Sequence, residues 1–317
     1  MSSDVTNKIT FRQVPHGILM VRPVSFGFNP ETAGSNSFQR MPDISDDVPG
    51  RARSEFDAVV QILKDKGVKV MVVEDTAEPV TTDAVFPNNW ITTHEDGKII
   101  LYPMMAPSRR KERRHDIVEM LQAKYDVTII IDFTEGERSN KFLEGTGSLI
   151  FDHVNRIAYA CRSPRTDETL LNELCKTIGY TPLLFGAVDE SGVPIYHTNV
   201  MMWLGERVAG ICLDSIRTEA DQELVLGSLA STGHKVIALS FQQMNSFAGN
   251  MFEVRNDNDE RFLLMSQTAY DSLLPGQILE IEKYCEPLVV PISTIEESGG
   301  GSIRCMVAGI HLPLSKT

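Results

Sequence analysis

The chain of 317 residues is long enough for two ordinary domains or for one closed ring of repeats. With 42% hydrophobic and 23% charged residues it has the composition of a globular protein with a large core, and 30 basic against 43 acidic residues give a net charge of −13. So negative a surface repels phosphate backbones and anionic lipids, and no uncharged hydrophobic run approaches the roughly 18 residues of a membrane span. We therefore expect neither a nucleic-acid partner nor a membrane partner.

The cysteines and the first residues predict the compartment. Five cysteines are an odd number, and none belongs to a Cys-x-x-Cys pair, which favours a reduced cytoplasmic protein over a disulfide scaffold or zinc ribbon. Residues 1–10 contain no hydrophobic leader segment. Metal-binding spacings are absent, and the glycine run at 299–301 lacks the Gly-Lys ending of a phosphate-binding loop. We predict no metal and no cofactor.

The elements predicted in chain order form a repeat. Residues 17–22 read as a strand, followed by a helix at 53–66 and a strand at 68–73. Four later segments read as hairpins around polar turns: 90–102 with its turn at 96–97, 148–162 at 152–156, 200–213 at 205–206 and 251–265 at 256–259. A helix follows each hairpin, at 108–125 with Ser108 as its cap, 166–178 with its end at Gly179, 218–232 and 274–284. A short strand follows each helix, at 127–131, 182–185, 235–239 and 287–290.

The two ends of the chain complete one another in this pattern. The N-terminal unit lacks its first strand, and residues 305–312 read as a strand that can supply it. The first strands would then begin at 89, 147, 199, 250 and 305, between 51 and 58 residues apart. We predict an α/β fold, a five-bladed pseudosymmetric propeller of ββαβ repeats closed by the C-terminal strand, as a single domain over residues 1–317.

An open, doubly wound sheet of βα units is the alternative fold, because it also alternates strands and helices. Tight hairpin turns weigh against it, since parallel neighbouring strands need helical crossovers. In a closed ring, the beginnings of the first strands meet near the central axis. The polar residues at these positions are Asp83, Asn88, Asn89, Glu144, His197, Asn199, Asn250 and Cys305.

A carboxylate, an imidazole and a thiol on three units are the groups that nucleophilic cysteine catalysis needs. The imidazole moves protons to and from the sulfur, and the carboxylate orients the imidazole. Each residue also has a structural interpretation: Cys305 as a small buried hydrophobic side chain, His197 as a core histidine and Glu144 as part of a turn. Their shared placement at equivalent repeat positions favours the catalytic interpretation.

Other reactive side chains are interpreted as structural. Cys161 and Cys212 lie in hydrophobic strands, and Cys175 and Cys285 lie on or at the ends of helices. The arginines of the basic helix are expected to form a solvated face; they are Arg109, Arg110, Arg113 and Arg114.

Several motifs resemble those of the guanidine-modifying pentein superfamily, which includes arginine deiminases, dimethylarginine dimethylaminohydrolases, amidinotransferases and arginine dihydrolases. The segment from Asp83 to Asn89 resembles the substrate-binding segment, and Ala106 to Glu112 is similar to the stretch after the next strand. The Ser-Pro-Arg-Thr sequence at 163–166 resembles the motif whose arginine binds the substrate carboxylate. The run Asn88-Asn89-Trp90 is most similar to citrulline-utilisation hydrolases.

The resemblance implies roles for eight residues. Cys305 is expected as nucleophile, with His197 and Glu144 as its catalytic partners. The residues expected to bind a small amino-acid substrate are Asp83, Asn88, Asn89, Arg165 and Asn199. The implied activity is hydrolysis of a C–N bond of a guanidino or ureido group, with an amidinotransferase or a non-catalytic binding protein as alternatives. The helix-lined exterior permits a homodimer.

The substrate is expected to be neutral at its reacting carbon. Arginine deiminases carry acids where this chain has Asn88, Asn89 and Asn199. A guanidinium buried without counter-charges is costly, whereas asparagine amides can donate to and accept from a neutral ureido group. Citrulline, or arginine processed through such an intermediate, is therefore the predicted type of substrate.

Overall fold

The computed structural model describes residues 11–36, 38–42 and 47–315. Residues 1–10, which the sequence predicts to lack a leader, lie outside the described residues. The described chain forms fifteen strands in five sheets of three strands each. The strands are β1 (Gly17–Arg22), β2 (Val70–Glu74), β3 (Ile91–Thr93), β4 (Lys98–Leu101), β5 (Ile129–Asp132), β6 (Leu149–Asp152), β7 (Ile157–Cys161), β8 (Thr181–Phe185), β9 (Met202–Leu204), β10 (Val208–Ile211), β11 (Lys235–Ala238), β12 (Phe252–Arg255), β13 (Arg261–Ser266), β14 (Glu286–Val290) and β15 (Ala308–Ile310).

The five sheets share one topology. In each, the middle strand pairs antiparallel with the first strand and parallel with the third. In four sheets the antiparallel pair is a hairpin at a place where the sequence predicts one. The α/β class is thus confirmed, and the hairpins distinguish these sheets from an open sheet of βα units.

The two ends of the described chain meet in one sheet. β15 pairs antiparallel with β1, with Gly17 opposite Ile310 and Leu19 opposite Ala308, and β1 pairs parallel with β2. The C-terminal segment therefore supplies a first strand, as expected. The strand is shorter than predicted, and Cys305 lies in the turn before it.

The first strands begin two or three residues later than predicted. Short helical turns occupy the positions just before three of them: Pro87–Asn89 before β3, α5 (Gly145–Ser148) before β6 and α7 (Thr198–Met201) before β9. Asn88, Asn89 and Asn199 lie in these turns, and Glu144 and His197 directly precede two of them. Five of the eight candidate site residues are thus positioned by the turns that lead into first strands.

The remaining described α-helices connect the strands along the chain. They are α1 (Pro30–Ala33), α2 (Val48–Asp65), α3 (Pro107–Arg110), α4 (His115–Lys124), α6 (Glu168–Ile178), α8 (Glu219–Ser231), α9 (Phe241–Asn245), α10 (Gln267–Ser272), α11 (Pro275–Ile281) and α12 (Ser293–Gly299). The predicted helix at 108–125 is wrong as a single helix, and Ser108 does not cap it. Arg110 donates to the carbonyls of Met104 and Met105, and Arg113 pairs with Glu137, so these side chains bind the neighbouring loops and the helix breaks.

Helix α6 shows how local sequence sets an element. Its predicted start at Thr166 is one residue early: Asp167 is the N-cap, and its carboxylate accepts a hydrogen bond from the Leu170 amide at 2.9 Å. Gly179 ends the helix as predicted, in the left-handed conformation with φ of 73°. Leu171 and Leu174 are fully buried and pack the helix into the core.

The third strand of each sheet is the one that exposes residues to solvent. The first strands β3, β6 and β9 are buried at every position. The helical turns that precede these three strands therefore lead into the protein interior. Among the described helices, none combines the length and the apolar composition that crossing a membrane requires.

We predict that Asp167→Ala lowers the free energy of unfolding by about 1 kcal/mol, because α6 loses its N-cap hydrogen bond. Asp167→Asn should retain most of this stability, since an asparagine oxygen also accepts from the Leu170 amide. Urea unfolding of the two variants tests this. Equal stability of wild type and Asp167→Ala would show that the cap contributes nothing.

Candidate active site

A small cavity lies beside the turns that lead into the first strands. Five of the eight predicted site residues line it: Asp83, Asn89, Arg165, His197 and Cys305. The sixth and seventh, Glu144 and Asn199, contact these residues from behind. The eighth, Asn88, is fully buried outside the lining, and its side-chain amide has no hydrogen-bond partner among the described residues.

Glu144 is a fully buried carboxylate in the turn before β6. Oε2 accepts a hydrogen bond from His197 Nε2 at 2.8 Å and lies 3.3 Å from Arg165 Nη1, and Oε1 accepts from the Met105 amide. Burial by itself would raise the pKa of Glu144, but the charge of Arg165 and the hydrogen bond from His197 outweigh it and hold the pKa below its usual range. Glu144 is therefore ionised at neutral pH.

His197 is oriented by this carboxylate. Burial lowers the pKa of His197 to about 4, although the hydrogen bond to Glu144 raises it. At neutral pH the imidazole is uncharged, donates Nε2–H to Glu144 and keeps Nδ1 as a proton acceptor. A Cβ on Gly147 would lie 2.8 Å from His197 Nδ1 and 2.8 Å from Asn89 Oδ1, so the turn needs glycine here to let the imidazole approach.

Two asparagine amides hold the Cys305 sulfur. Asn199 Nδ2 and Asn250 Nδ2 each donate to Sγ at 3.4 Å. Asn250 also donates to the Asn199 carbonyl at 2.8 Å and accepts from the Arg304 amide at 3.1 Å, which ties the nucleophile turn to two other sheets. Burial raises the pKa of the Cys305 thiol, while the Asn250 hydrogen bond and the Arg304 charge oppose this. Sequence analysis placed Asn250 at a strand start but gave it no role.

Asp83 supplies the acidic group of the cavity wall. Burial raises the pKa of Asp83, opposed by the charge of Arg109. Oδ2 accepts from Asn29 at 2.7 Å and lies 3.6 Å from Arg109 Nε, whereas Oδ1 is buried without a partner among the described residues. Asn89 Oδ1 is likewise unpaired. The cavity wall thus offers two free acceptors to a ligand's N–H groups.

The expectation that Arg109 lies on a solvated face is wrong. Arg109 is 4% exposed, lines the cavity and forms a double hydrogen bond with Glu112 at 2.9 Å for each contact. Burial raises the pKa of Glu112 to about 8, against the lowering effect of Arg109. The similarity of residues 106–112 to a family motif was the one available signal, because helical charge pattern alone does not tell a buried arginine from a solvated one.

Arg165 bridges the catalytic acid and the cavity. Its guanidinium pairs with Glu144 and donates a hydrogen bond to the Ser35 hydroxyl at 2.5 Å. The same group lies over the Tyr196 ring, 5.0 Å from the ring centroid. Its Nε is buried without a partner among the described residues. Arg165 therefore keeps one donor free, whereas the fork of Arg109 is occupied by Glu112.

The segment after β1 covers the cavity, and sequence analysis assigned it no function. Asn29 donates to Asp83, Ser35 accepts from Arg165, and Asn36 Nδ2 donates to the Gly300 carbonyl at 3.2 Å. Its polar residues carry no recognisable motif, and their contacts arise only once the sheets have assembled. The part of the chain that the structure describes contains no group of three or more His, Cys, Asp or Glu side chains arranged to bind a metal ion.

We predict that His197 stays neutral down to about pH 4 and that Glu144→Gln lowers its pKa further, because the Glu144 carboxylate raises that pKa. NMR titration of the imidazole, assigned with a His197→Gln variant, measures both values. Glu137→Gln, which removes an acid paired with Arg113, serves as the control and should leave the titration unchanged. A wild-type His197 pKa near 6.5 would contradict this description.

Comparison with known proteins identifies related structures. The structure of ArgZ, an arginine dihydrolase of cyanobacteria, is 15% identical with a TM-score of 0.71 over 94% of this chain and 41% of that chain. The N-terminal domain of ArgZ bound to substrate is 16% identical, with a TM-score of 0.69 over 93% and 98% of the two chains. A dimethylarginine dimethylaminohydrolase adduct with S-methyl-L-thiocitrulline is 13% identical, with a TM-score of 0.63 over 93% and 99%.

At these identities the likeness shows a shared fold, and the chain spans about two fifths of full-length ArgZ. No curated protein sequence matches the chain. A family model described as eukaryotic N,N dimethylarginine dimethylhydrolase matches residues 22–312, in agreement with the superfamily that the motifs resemble. The chain therefore belongs to the family of eukaryotic N,N dimethylarginine dimethylhydrolases.

Proposed function

We propose that the protein is a hydrolase that cleaves a C–N bond of a guanidino or ureido group in an arginine- or citrulline-type amino acid. The reaction passes through a covalent intermediate on Cys305 and releases ammonia and ornithine or a related product. The observation that carries the proposal is the chain of contacts from buried Glu144 to His197, on a cavity that His197 shares with the amide-held Cys305 sulfur.

The first half of the reaction forms the intermediate. In the resting site the thiol and the imidazole are both neutral, so attack begins with transfer of the Cys305 proton to His197 Nδ1. The thiolate, stabilised by the amides of Asn199 and Asn250, adds to the planar carbon of the substrate. His197 then donates its proton to the departing nitrogen, and the C–N bond breaks. Glu144 keeps the imidazole in the required tautomer and stabilises its transient charge.

The second half releases the enzyme. Water adds to the thio-intermediate, His197 Nδ1 takes its proton, and the C–S bond breaks to return the Cys305 sulfur. With a ureido substrate the products are ammonia and a carbamate that decomposes to ornithine and CO₂. With arginine the same cycle first gives ammonia and citrulline, and a second cycle gives ornithine.

The cavity wall supports a substrate whose reacting group carries N–H donors. Asp83 Oδ1 and Asn89 Oδ1 are the free acceptors, and Asp83 is the one acid among the five predicted residues on the wall. Asn199 contacts the nucleophile itself. A wall with one acid and asparagine amides suits a ureido group or a guanidino group processed through a ureido intermediate. Arg165 is the group proposed to bind the substrate carboxylate.

Two alternatives follow from the same site. An amidinotransferase would form the same intermediate but pass it to a second amine instead of water. A non-catalytic binding protein of this fold would not need the sulfur, imidazole and carboxylate together, and the contact of Glu144 with His197 favours catalysis. Ornithine release in the absence of any amine acceptor separates hydrolase from transferase.

The wider organisation is also part of the proposal. We take the five sheets to form a closed five-bladed propeller and one catalytic domain over residues 1–317. Contacts of β15 with β3, of β6 with β9 and of β9 with β12 support this, because they join first strands of different sheets.

Five free, buried cysteines support a cytoplasmic location. A small amino-acid substrate is the proposed partner, without nucleic acid or membrane, and a homodimer is compatible with the exterior.

We predict that Cys305→Ala abolishes turnover without unfolding the protein. Wild type and variant are incubated with arginine, citrulline, agmatine and N,N-dimethylarginine, and ammonia, dimethylamine, citrulline and ornithine are quantified separately. Cys161→Ala, at a buried cysteine away from the cavity, is the matched control and should retain activity. Ornithine from citrulline supports the ureido proposal, whereas accumulation of citrulline as the end product from arginine contradicts it. Full activity of Cys305→Ala would exclude the covalent mechanism.

We predict that Arg165→Lys raises KM at least tenfold, since lysine lacks the planar guanidinium whose free Nε–H is proposed to bind the substrate carboxylate. It should also lower kcat, because the 3.3 Å contact with Glu144 is weakened. Agmatine, which lacks the carboxylate, provides the internal control: its KM should change much less. Equal changes for citrulline and agmatine would remove Arg165 from carboxylate binding.

A further inference from the structure

A second, small cavity lies among the first strands, apart from the proposed substrate cavity. Gln13, Thr93, His153, Trp203, Arg304 and His311 are among the residues that line it. None of them belongs to the substrate cavity, and the proposed reaction uses none of them. The two cavities lie on either side of the nucleophile turn, because Arg304 lines one and its sequence neighbour Cys305 lines the other.

Arg304 is a buried guanidinium that has no counter-ion among the described residues. The residue is 7% exposed, its Nη1 donates to the Val307 carbonyl at 3.0 Å, and the guanidinium lies over the Phe252 ring at 4.3 Å. Among the described residues no carboxylate lies within ion-pair distance of it. Burial lowers the pKa of the Arg304 guanidinium to about 10, and the charge of Cys305 opposes this shift.

A buried arginine of this kind is expensive unless an opposite charge accompanies it. The Cys305 sulfur does not supply that charge at rest, since burial raises the pKa of its thiol. Since the described residues supply no negative charge to Arg304, the cavity that it lines is the place where a ligand could supply one. The cavity therefore presents a permanent cation to whatever enters it.

The rest of the wall, as far as the described residues form it, contains no acid and one free donor. Trp203 Nε1–H is buried and has no partner among the described residues. The Thr93 hydroxyl donates to the Gly309 carbonyl at 2.9 Å and is not free. His153 and His311 stack with ring centroids 4.1 Å apart, and burial holds the pKa of each well below the usual histidine range, so both are neutral. A guanidinium with a free indole N–H and neutral rings on the same wall suits a small anion.

We infer that this cavity is a binding site for a small inorganic anion of the halide class, which pairs with the Arg304 guanidinium behind the nucleophile. The anion neutralises the buried charge and so stabilises the folded protein. The inference is independent of the proposed reaction, because binding needs only Arg304 and the cavity walls.

Thermal unfolding with chloride exchanged for gluconate at constant ionic strength tests the inference without any turnover. We expect chloride to raise Tm by roughly 5 °C at saturating concentration, because a ligand bound only by the folded state stabilises it. Arg304→Met should abolish this shift and Arg304→Lys should retain part of it. Arg138→Met removes an exposed arginine paired with Glu135 and should leave the shift unchanged.

A crystal of the wild-type protein in bromide keeps the test decisive if Arg304→Met fails to fold. An anomalous peak beside the Arg304 guanidinium supports the inference. A cavity without a peak, or a Tm that depends only on ionic strength and not on the identity of the anion, overturns it.

Discussion

The proposed chemistry depends on one buried negative charge. Glu144 is completely removed from solvent, and an isolated carboxylate there would become protonated. Arg165, His197 and the Met105 amide each satisfy it, so it remains ionised and fixes the imidazole. These groups come from different parts of the chain, and only the assembled sheets bring them together. The fold therefore determines the protonation state of the site.

Much of the fold could be predicted from the sequence because hairpins and helix ends are local features. The turns at 96–97 and 205–206, the beginning of a helix near Thr218 and the end of a helix at Gly179 depend on neighbouring residues, and the structure has each of them. The break in the helix predicted at 108–125 could not be predicted. It results from contacts of arginine side chains outside the helix: Arg110 donates to the Met104 carbonyl in the preceding loop, and Arg113 pairs with Glu137, 24 residues further along the chain.

The candidate site, too, could be predicted only in the part that depends on the sequence pattern and not on packing between elements. The repeat predicted seven of the candidate site residues and the family motif predicted Arg165. Five of these eight residues line one cavity, and Glu144 and Asn199 contact the residues that line it. The repeat pattern does not show on which side of a turn a side chain lies. For this reason the burial of Asn88 outside the cavity lining could not be predicted. The burial of Arg109, the bridging role of Asn250 and the unpaired charge of Arg304 arise from packing between sheets. No local pattern in the sequence contains that information.

The central claim is that His197, held by ionised Glu144, activates Cys305 as a nucleophile. Acid quenching during turnover, followed by mass spectrometry of the peptide that contains Cys305, tests it most directly. The account predicts a substrate-derived mass on Cys305 in the wild type, and loss of this adduct in His197→Gln. An unmodified Cys305 at every time point of an active reaction would contradict it.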